Sequence, residues 1–424
     1  MTAEIAVLNK SAIALAADSA MTVSGTPKRY PGNKLFALSK SHPVGVMFYN
    51  NSEFMGIPWE TLFKIFRQRI LRAGRPTVAD YAEDFLQYIC DPVICTDEQQ
   101  SMNLQRIADA LFAGVRSAVD EERATEPGEN GDAAAVRTGV DRWLTDLEAA
   151  DGASSLQGVD CADLVQRNRG SIEQIIDERF GGIVIDDSSR GLLCDLLAVA
   201  LGSEWLSNGH SGVIFAGFGE DEFFPSLLEI TTDGMIGDAL KVVVRQVYDV
   251  SRDGTRAAIV PFAQSEMVER FMVGVDPELV DYIRLAAYLR FRRLAQAMSG
   301  GDADGELEGD VAALNELAEA LSEDLLQDVK RFCGERFSQP IVTIVRHLPK
   351  EELAIMAEAL VSLTSLKRRV SRDDESVGGP IDVALISKGD GFIWSKRKHY
   401  FDPKLNLDYF ARLAARTNHA GTEA

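Results

Sequence analysis

The chain has 424 residues, 46% of them hydrophobic and 26% charged, which excludes a disordered class and is enough to bury a substantial core. The formal net charge of −21 excludes the positive field that non-specific binding to nucleic acid or anionic membrane requires. Five scattered cysteines, of which only Cys90 and Cys95 are close, fit neither a zinc knuckle nor a redox pair, so reduced thiols in a cytoplasmic setting are expected.

The opening residues MTAEIAVLNKSAIALAADSA have no basic n-region and place Glu4, Lys10 and Asp18 where a signal peptide would be apolar, so no leader is expected. Ala3 to Leu8 alternates through Ile5 and Val7, and Ser11 to Ala17 alternates through Ile13 and Leu15; together they read as a tight β-hairpin. Leu35 to Leu38 and Val44 to Tyr49 read as a second strand pair around the polar turn at 39–43. Ser52 is a candidate cap for a helix with Pro58 in its early turns, on which Met55, Trp59, Leu62, Phe66 and Ile70 recur at helical intervals. A second helix starts near Thr77.

From about 91 to 208 the sequence is helical with acidic, Gly- and Ala-bearing breaks, which reads as an insertion. Strand character returns at Ser211 to Gly219 and in SLLEITTDGMI, where Asp233-Gly234 is a hairpin signal, and continues in ALKVVVRQVYDV. Helices resume near Ala263, break at the acidic, Gly-rich stretch near 300, and return in LPKEELAIMAEALVSLTSLKRRV. A last strand pair, GPIDVALISKG and GFIWSKRK, follows. Helix pairs between groups of strands, in place of single helices between strands, predict an α+β four-layer α/β/β/α sandwich. It is expected as one domain over 2–424, with a core of 2–92, 210–298 and 338–398, helical insertions at 93–209 and 299–337, and a C-terminal extension at 399–424. No apolar run is long enough to span a bilayer.

Thr2 is the candidate nucleophile. A threonine hydroxyl needs a base, and once Met1 is removed the α-amine of the same residue can serve. An unperturbed α-amine has a pKa of about 7.7–8.0, so a nearby ammonium makes it a competent base at neutral pH. Asp18 closes the second strand and Lys34 opens the third, at equal separations from Thr2 to Asp18 and from Asp18 to Lys34. If the two strand pairs lie side by side, both side chains reach the start of the first strand, with Asp18 orienting a charged Lys34. Taken singly, Thr2 is merely a second residue, Asp18 a turn aspartate and Lys34 a solvated cation; only as a set do they point to catalysis.

MTAEIAVLNKSAIALAADSAMTVSG followed by NKLFALS resembles the start of proteasome β-type subunits and of their bacterial relatives HslV and Anbu. The resemblance implies an N-terminal-nucleophile hydrolase in which Thr2 is the nucleophile, Asp18 the orienting acid and Lys34 the cation that tunes the amine. RDDESVGGPIDVALISKGDGF resembles the family's closing segment, whose aspartate and serine, here Asp373 and Ser376, hydrogen-bond around the amine; Val377 is one residue extra. VGVMFYNNSEFM resembles the turn whose backbone N–H forms the oxyanion hole, with Asn50 where the family has glycine. Ser265, near the place of a further family serine, lacks the usual flanking glycines. The matches cover well under half of the chain, and family members are much shorter.

The implied activity is a threonine-type, proteasome-like peptidase acting through an acyl-enzyme. The alternatives are an inactive assembly scaffold that keeps Met1, and a small-molecule amidase of the same fold. The implied partners are a peptide or other amide substrate, further copies of the chain in a homo-oligomer and, for any unfolding step, a separate ATPase. The five histidines show no ligand spacing and Gly217-x-Gly219 no following helix, so neither a metal nor a phosphate cofactor is expected.

Overall fold

In the computed structural model the described residues are 2–22, 29–69, 74–125, 129–148, 156, 158–252, 254–298, 308–371, 377–399, 401–409 and 411. The first strands are β1 (Ala3–Asn9), β2 (Ala12–Ala17), the short pair β3 (Ala20–Thr22) and β4 (Arg29–Pro31), β5 (Leu35–Ala37) and β6 (Val44–Asn50). A small ribbon, β7 (Glu53–Phe54) and β8 (Ile57–Pro58), leads into helices α1 (Trp59–Arg69) and α2 (Val78–Ile89). Five helices follow: α3 (Asp97–Thr125), α4 (Glu129–Glu148), α5 (Cys161–Arg167), α6 (Arg169–Arg179) and α7 (Asp187–Gly202). The chain returns to strands in β9 (Ser211–Gly217), β10 (Ser226–Ile236), β11 (Ala239–Asp249) and β12 (Ala257–Ala263). Helices α8 (Glu266–Val273), α9 (Pro277–Met298), α10 (Glu308–Cys333), α11 (Gln339–Val345) and α12 (Lys350–Val370) precede the last hairpin, β13 (Asp382–Ser387) and β14 (Gly391–Lys396). The protein is α+β.

Two five-stranded sheets form, in the orders β12-β1-β2-β13-β14 and β11-β10-β9-β6-β5, with antiparallel pairing throughout. Leu8, Ile13 and Leu15 of the first sheet share an apolar cluster with Met47, Ile214 and Leu227 of the second, so the sheets face each other across a common core. The outer side of β2 is made of Ala12, Ala14 and Ala16, small enough for α12 to settle closely with Ala354, Ala357 and Val361. On the second sheet, Val46, Phe48 and Phe215 pack beneath Trp59, Phe63 and Phe85, with the Phe63 and Phe85 rings 5.0 Å apart. Period-two alternation therefore serves two apolar faces at once, which is why these strands are buried on both sides.

Four expectations change. The two N-terminal strand pairs lie in facing sheets and not side by side. The helix after β6 starts at Trp59, not at Ser52, because Met55 (φ 51°) and Gly56 (φ 78°) make the tip of the β7–β8 ribbon, and the Trp59 amide donates to the Ser52 carbonyl. Asp233-Gly234 is no hairpin turn: β10 continues to Ile236 through a bulge at Gly234 (φ 88°), and the turn falls at Gly237-Asp238. Finally, helices are expected to resume near Ala263 with no strand just before it, whereas β12 ends there and pairs with all of β1.

Helix α2 begins as expected, with Thr77 and Asp80 forming a capping box. Helices α3 to α7 make an apolar cluster of their own, which Ile236 of β10 joins. Asn103 fastens it by donating to the carbonyls of Asp233 and Met235, and the buried Lys241 ammonium donates to the Ala200 carbonyl at 2.9 Å.

Candidate active site

Asp18 is the organising group. It follows the last residue of β2, and its own amide donates to the Ala3 carbonyl, which fixes it beside the start of β1. Among the described residues its carboxylate accepts four bonds. Oδ1 takes the Lys34 ammonium at 2.7 Å and the Ala3 amide at 3.2 Å; Oδ2 takes the Gly378 amide at 2.9 Å and the Ala20 amide at 3.2 Å. Three backbone amides and one ammonium therefore converge on this one side chain.

Lys34 is 1% exposed and sits one residue ahead of β5, where its carbonyl accepts from the Phe48 amide. It thus reaches Asp18 from the opposite sheet. Burial pulls its pKa down from the ordinary lysine value, while Asp18 and then Glu4 oppose the shift. Because one oxygen of Asp18 binds both Lys34 and the Ala3 amide, the ammonium stands within two hydrogen-bond lengths of the backbone next to Thr2.

Thr2 is buried, its carbonyl accepting from the Gln264 amide just after β12. Its hydroxyl has no hydrogen-bond partner among the described residues. The structure therefore brings Thr2, Asp18 and Lys34 together. Asn50 ends β6 with φ 67°, the left-handed conformation its side chain was expected to tolerate, and its side-chain amide donates to the carbonyls of Asn208 and His210. The Phe48 amide points toward β5, and by strand alternation the Asn50 amide continues along that edge, past Lys34 where β5 has not begun. Asp373 and Ser376 lie outside the described residues. The segment that follows them does reach the site: Gly378 donates to Asp18, its carbonyl accepts from the Ser19 amide, and Gly379 turns with φ 79°. A pocket of about 320 Å³ lies beside this contact, lined by Ala20, Tyr30, Pro31, Arg369 and Gly378 among others.

Sequence reasoning missed Glu4. It is fully buried, points into the layer between the sheets like Ala6 and Leu8, and neither carboxyl oxygen has a hydrogen-bond partner among the described residues. Burial raises its pKa well above the usual carboxylate range, Asp18 and Glu229 adding to the effect and Lys34 opposing it. The signal was present, since Glu4 is the one acid of β1, at an inward position among apolar residues. Tyr49 and Glu229 were also missed; the Tyr49 hydroxyl donates to Glu229 at 2.6 Å across the second sheet, and burial raises both their pKa values.

A carboxyl whose folded pKa lies above its unfolded one binds its proton more tightly when folded. It therefore favours the folded state most at low pH and loses that contribution as pH climbs above about 4.3 toward the folded value. Glu4→Gln, always neutral, is expected to match the wild type in urea near pH 4 and to exceed it above pH 5, by up to about 1.4 kcal/mol per pH unit within that window. A constant difference between the two proteins across pH 4–8 would show that the folded and unfolded states hold the Glu4 proton equally tightly.

Two facing antiparallel sheets with a buried threonine and a buried lysine–aspartate pair gathered between them define a class of site, a hydroxyl beside a sequestered cation. No model of a known protein family matches the chain, and no curated protein does. Among solved structures it is similar to an Anbu (Gly-1) mutant from Hyphomicrobium sp. strain MC1, at 10% identity over 100% of this chain and 99% of that one, with a TM-score of 0.24. At that score the likeness carries no argument, and the functional reading stands on this chain's own residues.

Proposed function

We propose that this chain is an N-terminal threonine hydrolase with a four-layer α/β/β/α core, cleaving peptide or other amide bonds through an acyl-enzyme on Thr2 once Met1 is removed. One observation carries the reading: the fully buried Lys34 ammonium shares Asp18 Oδ1 with the amide beside Thr2, whose hydroxyl is buried and has no partner among the described residues. A lysine costs free energy to bury, and the pair is placed where its positive field acts on the start of β1.

In this reading the neutral Thr2 amine, its basicity lowered by Lys34, takes the proton from Oγ1 as that oxygen bonds to the substrate carbonyl carbon. The Asn50 amide meets the oxyanion. Collapse breaks the C–N bond, and the leaving nitrogen departs with the proton held by the amine. Water, deprotonated by the same amine, then attacks the ester and regenerates Oγ1–H.

Intact-mass measurement of the purified protein is expected to show loss of one methionine, and an acylating β-lactone to add one equivalent that peptide mapping places on Thr2. A chain that keeps Met1 in every molecule has no amine base, and would identify an assembly scaffold instead.

A further inference from the structure

A second pocket, of about 400 Å³, opens where the second sheet ends. It starts immediately beyond Asn50: its lining includes Asn51, then Ser211, the ladder partner of Asn50, and Thr232, the partner of Ser211. Phe54, Met55 and Met102 supply apolar walls, while Glu53, Asn103 and Arg106 form a polar border. One wall is therefore α3, an element of the 93–209 stretch, and the other is the β7–β8 ribbon.

Two features separate this cavity from a packing fault. Met55 is held at φ 51° by the two-residue turn it makes with Gly56, so its place at the pocket wall is fixed by the β7–β8 ribbon. Its sulfur reaches so far toward the bulge in β10 that a Cβ on Gly234 would meet it at 2.9 Å. Met102, on the pocket side of α3, is 62% exposed. A flexible, polarizable thioether left in solvent at the mouth of an apolar cavity is suited to closing on apolar groups of varied shape.

The charges at the border decide the polarity of the occupant. Arg106 is spent on Asp233 at 3.0 Å, on the Asn103 side chain and on the Ser207 hydroxyl, so it offers little net positive field, and Glu53 at the rim repels anions. We infer that this pocket binds an uncharged apolar side chain of leucine, methionine or phenylalanine size, from a peptide that runs along the outer end of β6. The binding stands on the pocket alone; only the further step, that the same peptide reaches Thr2, rests on the proposed hydrolase activity.

The test uses the full chain carrying Thr2→Ala, so that no turnover is involved, with ¹³C-labelled methionine methyl groups; the chain has ten methionines. N-acetyl-leucinamide is expected to shift the Met55 and Met102 signals saturably, and N-acetyl-aspartate amide at the same concentration to leave them in place. Met102→Glu, a substitution at an exposed position, is expected to weaken the response at least tenfold while the other methyl signals keep their wild-type positions. Stationary Met55 and Met102 signals at millimolar N-acetyl-leucinamide, or equal shifts with the acidic probe, would overturn the inference. Failure of Thr2 to acylate in the wild type, with these shifts intact, would count against the hydrolase reading alone.

Discussion

Thr2→Ala is expected to lower turnover of any amide or ester substrate by at least about a thousandfold, leaving only the contribution of substrate binding and oxyanion contacts. The same substitution is expected to leave the fold intact, with a stability change within about 1 kcal/mol. The two effects separate because the hydroxyl is buried without a partner among the described residues, so within them it costs desolvation and returns no hydrogen bond. Thr2→Ser keeps hydroxyl and amine and is expected to retain turnover. Thermal unfolding followed beside steady-state kinetics checks both halves. A Thr2→Ala protein that is as active as the wild type removes Thr2 from the chemistry, whatever its stability.

The second large effect concerns Asp18. Asp18→Asn is expected to abolish activity and to destabilise the protein by about 3–5 kcal/mol near neutral pH, because Lys34 is left as an uncompensated buried charge. Relief comes only when Lys34 gives up its proton. A lysine whose folded pKa lies below its unfolded value penalises the folded state at low pH, and the penalty fades as pH rises toward about 10.4. The deficit of Asp18→Asn relative to wild type should therefore shrink between pH 7 and pH 10. Replacing both groups, as Asp18→Leu with Lys34→Met, removes the buried charge but strands the amides of Ala3, Ala20 and Gly378, and is expected to recover only part of the stability and none of the activity. Urea titrations across that pH range read the first effect, and an unchanged deficit would mean that the pair is accessible to solvent.

Much of this arrangement is written in local patterns. Alternation marked β1, β2, β5, β6, β13 and β14, and the Thr77–Asp80 capping box marked α2, because each depends on neighbours a few residues away. The spacing of Thr2, Asp18 and Lys34 was legible for a different reason: each lies at a strand end, where a change of direction aims the side chain. What escaped was set by distant partners. Whether AAIVPFA is a strand is decided by β1 lying alongside it, and whether Asp233-Gly234 turns or bulges is decided by β11, which pairs with β10 on both sides of that point. Glu4 escaped because a lone acid in an apolar strand reads as an outward residue, until the sheet that buries its other face is known. Asp373 and Ser376 stay as expectations from resemblance, tied to the site only through their neighbour Gly378.

The first sheet places the two earliest strands between β12 and β13, so the opening hairpin is completed by some of the last segments to leave the ribosome. The bond from Gly378 to Asp18 joins residues 360 positions apart. At roughly 5–20 residues per second, the nascent hairpin waits on the order of twenty to seventy seconds for that partner. During that interval its apolar surfaces need shielding, by a chaperone or by transient collapse, and Lys34 has no finished anchor. A bond that spans 360 positions thus carries a built-in delay: the support of Asp18, and through it of Lys34, is complete only once Gly378 has been made.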